Sequence, residues 1–144
     1  MSYSIDVNVL LYASDTSSPR HLKAIRFLEQ RALDPDLWCI AWATLMAFLR
    51  ISTDPRVFAH PLSPGESLGS VESLLNLPRV RVLSEGNGFL ESYPDVTAHV
   101  PVRGNLVPDA HLASLLRQHG VRKLYTADRD FRKFDFLEIE DPFT

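Results

Sequence analysis

The chain has 144 residues, which suits one hydrophobic core and leaves no room for a second domain of ordinary size. Apolar residues make up 45% and charged residues 23%, as in ordinary globular proteins rather than disordered or membrane-embedded ones. A net charge of −3 excludes nucleic-acid binding through bulk positive charge, so any RNA contact must come from local basic residues or from cations.

In chain order, Tyr3 to Val7 reads as a short strand with Asp6 at its end, and Val9 to Ala13 as one or two helical turns. His21 to Leu33 has apolar residues at 22, 25, 28 and 32, a helical spacing with a charged opposite face, and Asp34-Pro35-Asp36 stops it. Leu37 to Trp42 is an apolar run suited to a buried parallel strand. Its Cys39 is the one cysteine. A lone cysteine forms no internal disulfide, so Cys39 is expected to be a buried hydrophobe in a protein of the reducing cytoplasm.

Ala43 to Ile51 is predicted helical. Ser63-Pro64-Gly65-Glu66 is a helix start: Ser63 is the N-cap, Pro64 the first helical residue and Glu66 completes a capping box. That helix runs to about Leu77, and Val80 to Leu83 is a strand. Gly86 to Val100 is helical in part, despite Pro94. Val107 to His119 is a helix with Pro108 in its first turn and Gly120 as its stop. Val121 to Thr126 and Phe136 to Ile139 are the last strands.

Short apolar strands alternating with helices predict an α/β fold, a parallel sheet covered by helices on both faces, with the first strand central. In such sheets ligands sit beyond the carboxyl ends of the strands. Asp6 and Asp128 each follow a strand, and Asp109 opens a helix that starts at that same edge. Three carboxylates brought together repel one another unless a cation lies between them, and hard oxygen ligands suit Mg²⁺ or Mn²⁺. Such a cation activates water and stabilises charge on a phosphoryl group, the equipment of a phosphodiester hydrolase. Local alternatives stand beside this reading: Asp109 favours a helix N-terminus, and Asp128 suits a turn cap or a pair with Arg129 or Arg132. A phosphatase with an aspartyl nucleophile would need an acid at position 8, which is Asn8.

Four segments carry a resemblance. Ile5-Asp6-Val7-Asn8-Val9-Leu10-Leu11-Tyr12-Ala13, Pro108-Asp109-Ala110-His111-Leu112-Ala113 and Thr126-Ala127-Asp128-Arg129-Asp130-Phe131 are similar to the acidic motifs of PIN-domain proteins. Phe48 to Phe58 resembles one branch of the VapC-type toxins. The resemblance implies a three-layer α/β/α sandwich and a metal-dependent endoribonuclease acting on RNA. It also implies a homodimer paired with a VapB-type antitoxin. By motif match, Asp6, Asp109 and Asp128 are the catalytic and Mg²⁺- or Mn²⁺-holding acids. Thr126 positions the site, Asn8 orients Asp6, and Asp130 matches a less central acid.

The family has a further glutamate in the helix after the second strand. Here that position falls on Ala47, in Met46-Ala47-Phe48-Leu49-Arg50, and no acid lies between Asp36 and Asp54. Three explanations stay open: a weakly active member, a deliberate substitution, or replacement by another acid such as Glu85. The alternative function is a catalytically silent PIN-fold module that binds RNA or a partner.

Arg103, Arg129, Arg132 and Lys133 are candidates for RNA phosphate contacts beside the acidic motifs, or simply a solvated face. The five histidines lack metal-ligand spacing and are expected to be non-catalytic. Trp38, Trp42, Phe48 and Leu49 are expected in the core. Apolar helical faces before Pro35 could form a groove for an antitoxin helix. No segment reaches the ~18 apolar residues of a membrane span, and no secretory leader is expected.

Overall fold

The computed structural model describes all residues, Met1–Thr144. Five strands form one sheet: β1 (Ser2–Ile5), β2 (Leu37–Ala41), β3 (Val80–Leu83), β4 (Lys123–Tyr125) and β5 (Glu138–Glu140). Their order is β3-β2-β1-β4-β5 and every pairing is parallel, so β1 is central as expected. The helices are α1 (Val7–Ser14), α2 (His21–Ala32), α3 (Trp42–Ser52), α4 (Pro64–Leu75), α5 (Phe89–Thr97) and α6 (Leu106–Gln118), with a 3₁₀ turn at Arg129–Lys133.

Alternation along the strands sends side chains to two cores. Tyr3, Ile5, Trp38 and Ile40 pack with Val9, Leu10, Phe27, Leu45, Phe48 and Val71, under α1 to α4. Cys39, Ala41, Leu83 and Leu124 pack with Val96, Ala110, Leu115, Phe131 and Phe134, under α5, α6 and the 3₁₀ turn. The sheet is thus the middle of three layers. Cys39 is buried and unpaired, and burial pushes its thiol above the ordinary value, which suits a packing role and not a nucleophile.

Several elements differ from the sequence expectations. β1 ends at Ile5, because Asp6 caps α1 and Val7 already belongs to the helix. α3 opens directly on the last residue of β2, with no connecting loop. That immediate turn carries Trp42 out of the core: it is 50% exposed, while Trp38 is buried as expected. Leu49 is only partly buried and packs at the core's margin. α5, by contrast, is helical despite Pro94 as expected, with Val96 buried in the second core. The Ser63 cap is as predicted: Ser63 Oγ accepts from the Glu66 amide at 3.1 Å, and Glu66 returns a bond to the Ser63 amide at 2.9 Å.

Going from β1 the chain builds β2 and β3 on one side and then crosses to β4 and β5 on the other. The strand order therefore reverses between β1 and β4, the place where open α/β sheets open a crevice.

Candidate active site

At that crevice the sheet's last hydrogen bonds set the geometry. The Asp6 amide donates to the Tyr125 carbonyl at 2.9 Å, and the Thr126 amide donates to the Glu140 carbonyl at 3.0 Å. Asp6 and Thr126 thus leave adjacent strands at the same level. The Asp6 side chain caps α1, with Oδ1 accepting from the Val7 amide at 2.8 Å. Its Oδ2 accepts from the Thr126 hydroxyl at 2.9 Å and from Asn8 Nδ2 at 3.4 Å.

Thr126 is the hub. Its hydroxyl donates once, to Asp6, and accepts from the Asp128 amide at 3.0 Å and from Asn8 Nδ2 at 3.3 Å. One hydroxyl has one proton and two lone pairs, so its capacity is fully used. This ties the end of β1, the start of α1 and the turn after β4 into one piece. Sequence reasoning expected Thr126 to position the site and Asn8 to orient Asp6; in the structure both side chains donate to the Asp6 carboxylate.

Asp109 comes from the first turn of α6 on the other face of the sheet. Pro108 precedes it within that turn, where a missing N–H costs nothing. Carboxylate oxygens of Asp109, Asp128 and Asp130 all lie within 4.8 Å of one another. Asp130 therefore joins the cluster, although sequence reasoning rated it less central. It gets there through the 3₁₀ turn: Asp128 Oδ1 accepts from the Asp130 amide at 2.9 Å, which folds the second carboxylate back beside the first. The turn-capping alternative for Asp128 holds, and its carboxylate lies in the acidic cluster as well. Asp6 stands outside that close triad yet within reach of its field.

The electrostatics record the crowding. Asp109 is pushed up to about 7, by burial first and then by the charges of Asp128, Asp6 and Asp130, with Lys133 opposing. Asp6 is also raised, by burial and by Asp128, against the bonds from Thr126 and the Val7 amide. Lys133 Nζ lies 3.5 Å from Asp130, and Arg129 and Arg132 line a small recess with Thr126 and Asp128. All three cations are exposed, as is Arg103.

Glu85, the acid weighed as a replacement for the absent glutamate, is bonded instead to His111 on α6. His21 bonds the Tyr12 carbonyl at 3.0 Å and His119 the Ser84 carbonyl at 2.8 Å. These three histidines tie separate segments together. Ala47 is half-buried on α3, between buried Thr44 and exposed Arg50.

The PIN domain family profile matches residues 3–137. Ribonuclease VapC48 of Mycobacterium tuberculosis is 41% identical over 144 residues, covering 100% of this chain and 99% of that one. Ribonuclease VapC37 of the same organism is 30% identical over 138 residues, covering 96% and 95%. Two solved structures share the fold. VapBC2 from Rickettsia felis, bound to a DNA fragment from its promoter, superposes with TM-score 0.70 at 16% identity, covering 97% of this chain and 98% of that one. VapC20 of Mycobacterium tuberculosis, a toxin that cleaves the sarcin–ricin loop, gives 0.69 at 16% identity, covering 96% and 99%. With the sheet order, the acidic motifs and a relative alike along its whole length, the chain belongs to the PIN-domain family, among its VapC ribonucleases.

Proposed function

We propose that this chain is a metal-dependent endoribonuclease, the toxin of a VapB–VapC type pair, with Asp6, Asp109 and Asp128 at its centre and Asp130 beside them. The observation that carries this reading is the convergence of carboxylates at the crevice between β1 and β4. A cluster of hard oxygen donors that leaves Asp109 near neutrality without a cation fits Mg²⁺ or Mn²⁺. Asp109, Asp128 and Asp130 would hold the ion, with Asp6 as the fourth charge behind Thr126. When bound, the ion supplies positive charge to the phosphodiester group and acidifies water. The chain's own residues fix the carboxylates: Thr126 and Asn8 hold Asp6, and the 3₁₀ turn holds Asp128 and Asp130. Arg129, Arg132 and Lys133 offer donors to RNA phosphates along the same rim.

The antitoxin partner is supported by an apolar groove of about 280 Å³ between α1, α2, α3 and α4, lined by Leu10, Leu28, Leu45, Phe48 and Leu74. Such a groove suits the apolar face of a partner helix. Trp42 and Met46, one turn apart on the exposed face of α3, support a homodimer surface, to be read by light scattering. The reducing cytoplasm is the proposed location; no helix is long and apolar enough to cross a membrane.

A second reading, a silent binding module, is favoured by Ala47. We place the family's glutamate at that position and expect Ala47→Glu to add a carboxylate to the cluster. The test is cleavage of RNA by the native chain and by Ala47→Glu, with Mn²⁺ and with EDTA. The expected result is Mn²⁺-dependent cleavage that EDTA abolishes, with Mn²⁺ affinity about tenfold higher in the variant. Tight Mn²⁺ binding without cleavage by either protein would favour the silent module. Unchanged Mn²⁺ affinity would remove Ala47 from the site.

A further inference from the structure

Beside the acidic cluster lies a separate cleft of about 150 Å³, formed by α1 and the turn after α3. It is lined by Asn8, Leu11, Tyr12, Asp15, Val57 and Phe58. We infer that this cleft, with Asn8 as the wall it shares with the acidic cluster, is a nucleobase subsite that selects cytosine next to the cleaved bond. The inference rests on the ribonuclease reading of that cluster.

Four observations carry it. The first is contiguity. Asn8 Nδ2 donates to Asp6 and Thr126, so the residue that orients the reacting end also lines the cleft. A nucleotide whose phosphate sits at the carboxylates has its base one side chain away.

The second is an orphan acceptor. Asn8 Oδ1 is buried and has no hydrogen-bond partner. The present amide orientation is the favoured one, because turning it would set its oxygen against the Asp6 carboxylate and give up the donation to that charge. The two arms of a planar amide point apart, so the carbonyl is directed away from the acids. An unpaired buried carbonyl is costly, and because Asn8 also lines the cleft, a small rotation of its side chain would present this acceptor to a donor bound there.

The third is size and polarity. A cavity of roughly 150 Å³ with apolar walls holds a single six-membered aromatic ring. Leu11 and Val57 supply apolar wall, and buried Phe58 supplies the aromatic floor. Asp15, also in the lining, uses one carboxylate oxygen on the Ser17 amide, 3.1 Å away, and remains an acceptor. Cytosine presents an exocyclic amino group, a donor that carboxylates and amide carbonyls accept, on a single ring. Uracil presents a carbonyl at that position and would face acceptors with an acceptor.

The fourth is preorganisation. The Val57 and Phe58 amides both donate to the Asp54 carbonyl at 3.0 Å, and Arg56 closes on the Asp54 carboxylate at 3.0 Å. On the α1 side, Arg20 lies 5.4 Å over the Tyr12 ring, and Phe143 meets that ring edge-on. Both walls are braced before any ligand arrives, which lowers the ordering cost of binding.

The experiment uses nucleosides, which carry no phosphate to engage the acidic cluster. The native protein is titrated with cytidine, uridine, adenosine and guanosine in EDTA, following ¹⁵N–¹H NMR signals of the Val57 and Phe58 amides and the Asn8 side-chain amide. We expect cytidine to shift all three and to bind about tenfold more tightly than uridine. In Val57→Trp, a change at a position 58% exposed, the indole should fill the cleft and abolish the Phe58 and Asn8 shifts while Mn²⁺ affinity is unchanged. Equal response to cytidine and uridine, or no shift at these signals, overturns the subsite without need of the variant. RNA cleavage that is indifferent to the base beside the cut overturns it as well. Cytidine-selective shifts in a protein that cleaves no RNA would support the cleft's preference and overturn the ribonuclease reading.

Discussion

Replacing Asp109 with Asn should stabilise the metal-free protein, and only at higher pH. The carboxyl moves from 3.8 in the unfolded chain to about 7 in the fold. That is about three units, or roughly 4 kcal/mol at 1.36 kcal/mol per unit, if the group were fully desolvated. Asp109 retains some contact with water, and screening should reduce this to about 2 kcal/mol. Against it stands the loss of a negative charge in the first turn of α6, worth about 0.3–1 kcal/mol. Repulsion wins, leaving about 1–1.5 kcal/mol in favour of Asp109→Asn. The sign follows from proton binding. With its folded pKa above its unfolded one, the native state binds more protons between the two values, so stability is lost as pH rises from about 4 to about 7. The raised Asp6 carboxyl acts in the same direction. At pH 8 in EDTA, scanning calorimetry should show Asp109→Asn melting about 3–5 °C above the native protein. At pH 4 the difference should fall to within about 1 °C, because the native Asp109 is then protonated in the fold. Adding Mn²⁺ at pH 8 should reverse the order, since the ion stabilises chiefly the protein that binds it. An advantage that is absent at pH 8, or equal at pH 4 and pH 8, would refute the crowding of these carboxylates.

Two further substitutions test how the cluster is built. Asp130→Asn should lower Mn²⁺ affinity by about tenfold in calorimetric titration, because its carboxylate lies within the close triad; unchanged affinity would assign the ion to Asp109 and Asp128 with Asp6. Thr126→Val removes a hydroxyl that serves Asp6, Asn8 and the Asp128 amide together, and should destabilise the fold by about 1–3 kcal/mol in urea unfolding. A cost near zero there would show that water replaces the hydroxyl without loss.

What the sequence determined alone was whatever depends on neighbours along the chain. The Ser63–Glu66 capping box, the stop at Gly120 and the place of Pro108 are local bargains between side chain and backbone within one helical turn, so residue type and spacing were enough. The alternation of apolar runs with helical stretches fixed the layer order, because a strand buried on both faces and a helix buried on one have few ways to cover each other. The motifs around Asp6, Asp109 and Asp128 marked the carboxyl edge for the same reason.

The tertiary structure decided what depends on residues distant in sequence. Trp42 reads as core in its apolar run, yet α3 starts without a loop and rotates it to the surface. Pro94 left the extent of its helix open locally, and packing of α5 on α6 set it at Phe89–Thr97. Asp130 joins the acids because a 3₁₀ turn brings positions two apart onto one side. The near-neutral Asp109 arises only where chain segments around 6, 109 and 128 meet and exclude water. The cleft between Asn8 and Val57 brings together residues 49 positions apart, and the unpaired acceptor of Asn8 exists only because its amide nitrogen is held by Asp6 and Thr126. Charge repulsion, burial and hydrogen-bond occupancy are properties of the assembled crevice, and no stretch of the chain carries them by itself.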